Sequence, residues 1–486
     1  MLYPGSRSEE DEGYHSSVME RRLFTDLLVS CGGDATRPAE ILVEGERIAA
    51  VGRPGELPRE NAEVTSLGNR LVLPGAIDGH VHFDDPGFTH RETFETGTRA
   101  AAAGGVTTVV DMPCTSLPPV TNVASLSSKL SVIAPKAHVD FMLWGGVSGN
   151  TFREGTWRRD AAQLAEAGVA AVKLYLLSGM ETYRDLSPAQ VREVLFELRR
   201  CGVPAGVHAE DRELVLFTTE EIRSAGRDAP RDYAASRPPE AEVAAVATLR
   251  ELCRETGARV HVVHLASGEA LADVAAARAE GLPFSAETCP HYLAFTDADL
   301  DRLGALVKTA PVVKGAADRE ALWAGLASGA LQHVATDHAA GEWPREKTTG
   351  SIWTDYGGVP GVELMVPYLF SEGVRRGRIT LERMVELVSS EPARFFGVAG
   401  RKGRIEPGLD ADLLVLDPGE AWTVEGGRLH NLNRYTPFEG WAFTGRVVAT
   451  IVRGTTVFER QADGSERFLP PGTGRFVRRE ERLPAA

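Results

Sequence analysis

Hydrophobic and polar residues alternate in two rhythms along the chain, one at its ends and another through its middle. From Leu23 to Val72, short alternating segments (LLVSCGG, AEILVEGERIAAVG) are broken by glycine and proline, the pattern of antiparallel strands joined by tight turns. The same pattern returns after Gly403, in GRIEPGLDADLLVLDP and GRVVATIVRGTTVFER. Two strand-rich ends around a long, different middle most economically close on each other as one small β-sandwich.

The middle alternates strand and helix. A helix over 91–103 leads into a strand over 106–111, followed by a strand over 139–146, a helix over 157–167 and a strand over 169–176. Ser187 and Pro188 read as a helix cap and a first-turn proline, opening a helix to 200. Next come a strand over 203–208, helices within 211–226 and 239–256, and a strand over 260–265. A helix over 269–279, a strand over 283–288, a helix over 319–327 and a strand over 333–336 finish the cycle. Roughly 300 residues of repeated β-then-α units predict an α/β fold, a (β/α)8 TIM barrel, with chemistry at the C-terminal ends of its strands. No GxGxxG follows the first strand to favour an open dinucleotide-binding sheet. The expected organisation is a disordered tail over 1–20, a β-sandwich part over 21–73, the barrel over 74–399, the second β-sandwich part over 400–460 and an extension over 461–486.

Composition and charge narrow the partners. With 486 residues and 43% hydrophobic side chains, the chain can bury one large core and a smaller second one. A net charge of -15 argues against nucleic acid, and the one basic run, around Arg475 to Arg482, is expected to be a solvated tail. No apolar run approaches the ~20 residues that cross a bilayer, and the opening MLYPGSRSEEDEGYH lacks a signal-peptide core, so a cytoplasmic protein is expected. The five cysteines (Cys31, Cys114, Cys201, Cys253, Cys289) never form CxxC and are expected to be buried thiols.

Candidate chemistry begins in the stretch from Leu71 to Pro113, whose centre reads Asp78-Gly79-His80-Val81-His82. Two histidines one residue apart on a strand project to the same side, where one metal can be gripped by both. The ends of later strands add Lys173, His208, His264 and Asp337. Four imidazoles, a carboxylate and a lysine at one barrel mouth suit borderline-soft divalent metals such as zinc. Burial among cations depresses a lysine toward its neutral amine, which can capture carbon dioxide as a carbamate able to bridge two metals. A lysine merely snorkelling from a strand end is the alternative.

These six positions, with DGHVHF, GTRAAAAGGVTTVVDMP, ETCPHY and PGLDADLLVLD, resemble the amidohydrolase superfamily, specifically the cyclic amidohydrolases that include hydantoinases, allantoinases, dihydropyrimidinases and dihydroorotases. The resemblance spans roughly Leu23 to Phe458. It implies His80, His82 and Asp337 on one divalent metal, His208 and His264 on a second, and carboxylated Lys173 between them. Zinc is expected, with manganese or cobalt as alternatives, and Asp337 is the expected catalytic acid and base. His261, His291 and His338 are expected around the ligands rather than among them, and Cys114 and Cys289 are expected to pack.

Dihydroorotases carry an arginine and an asparagine where this chain has Asp84 and Cys114, so a substrate carboxylate would meet a like charge. Dihydropyrimidinases and D-type hydantoinases place a tyrosine where Ser178 stands. The phrases MPCTSLPP, VDFMLWGG, YTPFEG and RITLERMVELVSSEPARFFG are most similar to L-type hydantoinases, a branch near the allantoinases. The resemblance therefore implies hydrolysis of a hydantoin-type ring amide, with dihydroorotase or dihydropyrimidinase activity as the alternative. Substrate contacts are expected at Ser178 and at backbone groups near Ala310 and Gly357, with Leu176, Leu177 and Met180 as candidate pocket walls. A homotetramer is implied by the resemblance. A metal-free scaffold of the same fold is the non-enzyme alternative, opposed by the presence of all six positions.

Overall fold

The computed structural model describes residues 20–480, so the tail expected over 1–20 lies outside the described residues except for Glu20. Both chain ends join in one eight-stranded sheet, in which Leu413–Thr423 pairs antiparallel with Ala62–Pro74 through Leu413 opposite Pro74. Its inner face buries Phe24, Leu27, Ile41, Val43, Val72, Leu413, Val415 and Ile451. One pairing departs from the antiparallel expectation. Arg21–Ser30 runs parallel to Ala62–Pro74, because the hairpin of Thr36–Glu44 and Arg47–Gly52 covers its other edge before the chain returns.

Between these ends lies the barrel, with parallel pairings from Ala76–Val81 through His333–Val334. Asp140–Leu143 and Gly145–Gly146 are two pieces of one strand broken at Trp144, which leaves eight strands in the ring. The ring closes where His82 N donates to His338 O at 2.8 Å. Asp78 pins the first strand to the chain just past the last, accepting from Thr336 N at 3.0 Å and from Thr336 Oγ1 at 2.5 Å. Ala76–Val81 and Val106–Asp111 are buried at every position, as strands covered on both faces by barrel interior and helices must be.

Local chemistry sets the helix ends. Thr93 caps Phe94–Ala103, so this helix begins three residues later than its apolar pattern suggests. Ser187 and Gln190 form a reciprocal capping box on Pro188–Cys201, whose end is turned by Gly202 at φ +70. Several strands are shorter than their apolar runs; Val172–Tyr175 replaces the run expected over 169–176, because Val169, Ala170, Ala171 and Leu176 are buried without extending the strand.

The described part of the basic C-terminal run is not a solvated tail. Arg478 Nε donates to Ala167 O and its Nη2 to Glu166 O, both at 2.9 Å, covering the carbonyl end of helix Trp157–Ala167. Val477 N donates to Phe141 O at 2.8 Å, and Arg479 Nη1 donates to Ala170 O at 3.0 Å and to Phe395 O at 2.9 Å. Glu466–Phe468 adds an edge strand to the sheet.

Candidate metal centre

His80 lies in the first barrel strand and His82 just past its end. Lys173 and His208 come from the fourth and fifth barrel strands, Val172–Tyr175 and Ala205–His208, which pair with each other, His264 follows Val260–Val262, and Asp337 follows His333–Val334. His264 and Asp337 hold left-handed backbone, at φ +44 and +47, which costs about 1 kcal/mol for a residue with a Cβ. Strain of this kind persists where the surrounding structure imposes it, and here it aims two polar side chains into the mouth.

The donor atoms form two groups. His80 Nε2 and His82 Nε2 stand 3.3 Å apart, and Asp337 Oδ1 lies 3.1 Å from each. His208 Nδ1 and His264 Nε2 stand 3.2 Å apart. Ligand atoms held at 2.0–2.1 Å on a tetrahedral zinc ion stand about 3.3 Å from one another. The spacing of both groups fits divalent-metal ligation, and the rings of His80 and His264 bring the groups together at 5.3 Å between centroids.

Lys173 is wholly buried, and its Nζ has no hydrogen-bond partner among the described residues. The Tyr175 ring lies 4.9 Å from it. Burial pushes its ammonium toward the neutral amine more strongly than the anionic groups of Cys114, Asp337 and Glu287 oppose it. Asp337 is the reverse case: burial alone would raise its carboxyl, but His80, His82 and His264 outweigh it and hold the group well below its ordinary range.

Behind the donor atoms stand carboxylates that the sequence analysis did not single out. Glu287 Oε1 faces His80 Nδ1 at 2.7 Å, while its Oε2 faces His261 Nε2 at 3.2 Å and His333 Nε2 at 3.1 Å. Glu210 Oε2 faces His208 Nε2 at 2.8 Å and is paired with Arg237. A carboxylate on the far nitrogen fixes an imidazole's tautomer and raises its basicity toward a metal. One signal for Glu210 was available, since it stands two residues past His208 and period two keeps it on the same side. Glu287 could have been found as a lone acid in the otherwise neutral strand Phe284–Thr288.

The remaining candidates fall around this cluster. His338 Nε2 faces Glu92 Oε2 at 3.3 Å, and its Nδ1 accepts from Gly361 N at 3.2 Å. Cys114 is buried with its sulfur 3.2 Å from Tyr175 Oη and 3.8 Å from His82 Nδ1, and Cys289 is buried in the barrel core. Ser178 spends its hydroxyl within its own loop, donating to Tyr183 O at 2.7 Å and accepting from Met180 N at 3.1 Å. Leu176 packs into the main core, and Leu177 into a small cluster with Val215 and Ala241. The loops carrying Ala310 and Gly357 meet where Gly358 N donates to Lys308 O at 2.8 Å.

Comparison with known proteins agrees with this architecture. An allantoinase from Rubrobacter xylanophilus is 40% identical over 460 residues, covering 93% of this chain and 97% of its own. An L-hydantoinase from Paenarthrobacter aurescens is 32% identical over 465 residues, covering 94% and 98%. Among solved structures, L-hydantoinase (dihydropyrimidinase) from Arthrobacter aurescens superposes with a TM-score of 0.88 at 30% identity, covering 95% of this chain and all of that one. A dihydropyrimidinase from Brevibacillus agri gives 0.86 at 29%, covering 94% and 98%. The amidohydrolase family model matches residues 71–457, from the strand that enters the barrel to the sheet that closes it, and the chain belongs to that family.

Proposed function

We propose that the protein hydrolyses the ring amide of a hydantoin-type substrate, allantoin foremost, with His80, His82 and Asp337 holding one divalent ion, His208 and His264 a second, and Lys173 carboxylated between them. The observation that carries this proposal is the unpartnered, wholly buried Lys173 amine in the midst of five donor side chains. An amine pushed toward neutrality is nucleophilic toward carbon dioxide, and the carbamate it forms supplies the anion that a paired-cation site needs. Two divalent ions bound there would lower the pKa of water and polarise a substrate carbonyl.

The chain's own groups do the rest. Asp337 accepts the proton lost by the attacking water and returns it to the ring nitrogen as the carbon–nitrogen bond breaks, so the ring amide becomes a carboxylate and a terminal ureido nitrogen. Glu287 and Glu210 keep the His80 and His208 rings in one tautomer throughout. Backbone groups near Ala310 and Gly357 orient the ring imide. The identity shared with allantoinases supports the hydantoin-type ring.

Purified protein supplied with zinc, manganese or cobalt is assayed against allantoin, hydantoin, dihydrouracil and dihydroorotate in parallel. The two five-membered rings should be opened fastest, and preferential opening of dihydroorotate would reverse the assignment. Asp337→Asn should lower kcat by about 100-fold to 10,000-fold while elemental analysis still finds metal.

A further inference from the structure

The two loops that carry Ala310 and Gly357 are stitched together from beneath by buried amines. Ala310 is half-buried and Gly357 exposed, while Lys308 and Lys347 are buried. Lys347 Nζ donates to Ala305 O at 2.9 Å in the first loop and to Gly358 O in the second. Lys308 Nζ reaches from the first loop to Asp355 O in the second at 2.5 Å, beside the bond from Gly358 N to Lys308 O at 2.8 Å. Aromatic faces flank both amines, Tyr233 at 4.7 Å from Lys308 Nζ, and Tyr435 and Tyr356 at 5.7 and 5.8 Å from Lys347 Nζ. The nearby acids are engaged elsewhere. Glu346 takes Arg91 in a two-pronged contact, with Nε to Oε2 at 2.9 Å and Nη2 to Oε1 at 2.8 Å. Asp355 Oδ1 accepts from Thr349 N and Oγ1, both at 2.8 Å. The two amines therefore bond backbone carbonyls, and a charged donor makes such bonds stronger than a neutral one does.

Burying a cation with no acid bonded to it is costly, and a backbone bond already joins these loops, so two lysines here need a further reason. Their place supplies it. Lys347 bonds the residue after Gly357, and Lys308 stands two residues before Ala310. Resting on the function proposed above, which gives the ring imide to backbone groups near Ala310 and Gly357, we infer that Lys308 and Lys347 are positioning residues that hold the two loops at the spacing a ring imide fits. Backbone groups have no rotamers to adjust, so a small shift between the loops takes a donor or an acceptor out of the substrate's reach. The clamp also depends on charge. Burial lowers Lys347 to about 7, with repulsion from Lys308 adding to it and Asp355 and Glu346 opposing it. Burial lowers Lys308 to about 8, opposed by Asp355 and aided by Arg237. The phenols of Tyr233, Tyr356 and Tyr435 are pushed upward by burial and stay neutral. Both amines thus shed their protons as pH rises past neutrality, and the loops should slacken in that direction.

Lys347→Met and Lys308→Met each remove one amine, and the substrate is whichever cyclic amide the metal-loaded parent chain opens fastest. KM should rise about fivefold or more in either folded variant, in line with the loss of hydrogen bonds from a charged group, while kcat falls by no more than about threefold and elemental analysis finds the parent's metal content. Between pH 6 and 8 the KM of the parent chain should rise about threefold or more, and Lys347→Met should flatten that rise. A smaller change of KM in both variants, or a loss of kcat as large as the rise of KM, overturns the clamp and leaves the two lysines a structural role. A parent KM that stays level from pH 6 to 8 overturns it as well, and that measurement decides the matter even if neither variant folds. If the parent chain opens no cyclic amide the proposed function fails and the clamp falls with it, whereas a parent that opens rings without these changes refutes the clamp alone.

Discussion

Two lysines divide the molecule into a base that uses charge for stability and a mouth that keeps reactive groups exposed to one another. Lys402, 1% exposed, sits where the sheet module meets the barrel base, with Asp412 Oδ2 at 2.5 Å, Asp140 Oδ2 at 2.8 Å and Asp410 Oδ2 at 3.6 Å. Arg453 pairs with the other oxygen of Asp140. Lys173 is as deeply buried and has no such partner. Burial pulls both amines toward neutrality; at Lys402 the carboxylates of Asp140, Asp412 and Asp410 reverse the pull and raise its pKa, while at Lys173 burial prevails. The number of acids within bonding reach, not depth, decides whether a buried lysine is a strut or a reagent.

The largest effect should come from removing the reagent. Lys173→Ala is expected to lower kcat by about a thousandfold or more, since without a bridging anion the two ions of the proposed centre repel each other. Short carboxylates added to the assay should restore part of the rate. A variant that keeps a large share of its turnover would erase the distinction between the two lysines. The strut should behave in the opposite way. Lys402→Met leaves Asp140, Asp412 and Asp410 crowded around an absent charge, and breaking a buried ion cluster from one side costs about 3–5 kcal/mol. Urea unfolding should show that loss, while kcat of the folded fraction stays near that of the parent chain.

The same contrast explains what could be seen in the sequence. His80 and His82 were visible because strand periodicity makes one-residue spacing into shared direction, and the strand ends that carry Lys173, His208, His264 and Asp337 could be located from apolar runs. The barrel was legible for the same reason, since each β-then-α unit carries its own local signal. Lys402 was not legible: Asp410 and Asp412 follow it within ten residues, but Asp140 and the flanking Arg453 come from distant elements, and no spacing along the chain announces that they meet it. Glu287 escaped in the same way, because its three imidazoles come from three different strands. The basic C-terminal run misled for a related reason. Its charge is plain in the sequence, but the helix-end carbonyls of Glu166 and Ala167 that Arg478 covers lie some 310 residues away and become neighbours only in the fold.

The smallest effect separates charge that titrates from charge that does not. His430 joins barrel and sheet at a second junction, with Nδ1 3.0 Å from Glu363 Oε1 and Nε2 2.9 Å from Glu466 Oε2. Burial would lower its pKa, but the two glutamates outweigh burial and raise it from 6.5 to about 9. A histidine whose pKa is higher folded than unfolded stabilises the fold fully below the unfolded value and loses that contribution as pH rises through the folded one. Stability should therefore decline by about 1–2 kcal/mol between pH 6.5 and 9, as the proton that links Glu363 and Glu466 is released. Lys402 keeps its charge across that window because its carboxylates raise an already high pKa, so its junction contributes no slope there. Denaturation midpoints measured in steps from pH 6 to 9 should fall in the parent chain and stay flat in His430→Gln. A slope that survives the substitution would mean that the pH sensitivity lies elsewhere, and that the two junctions are equally indifferent to protons.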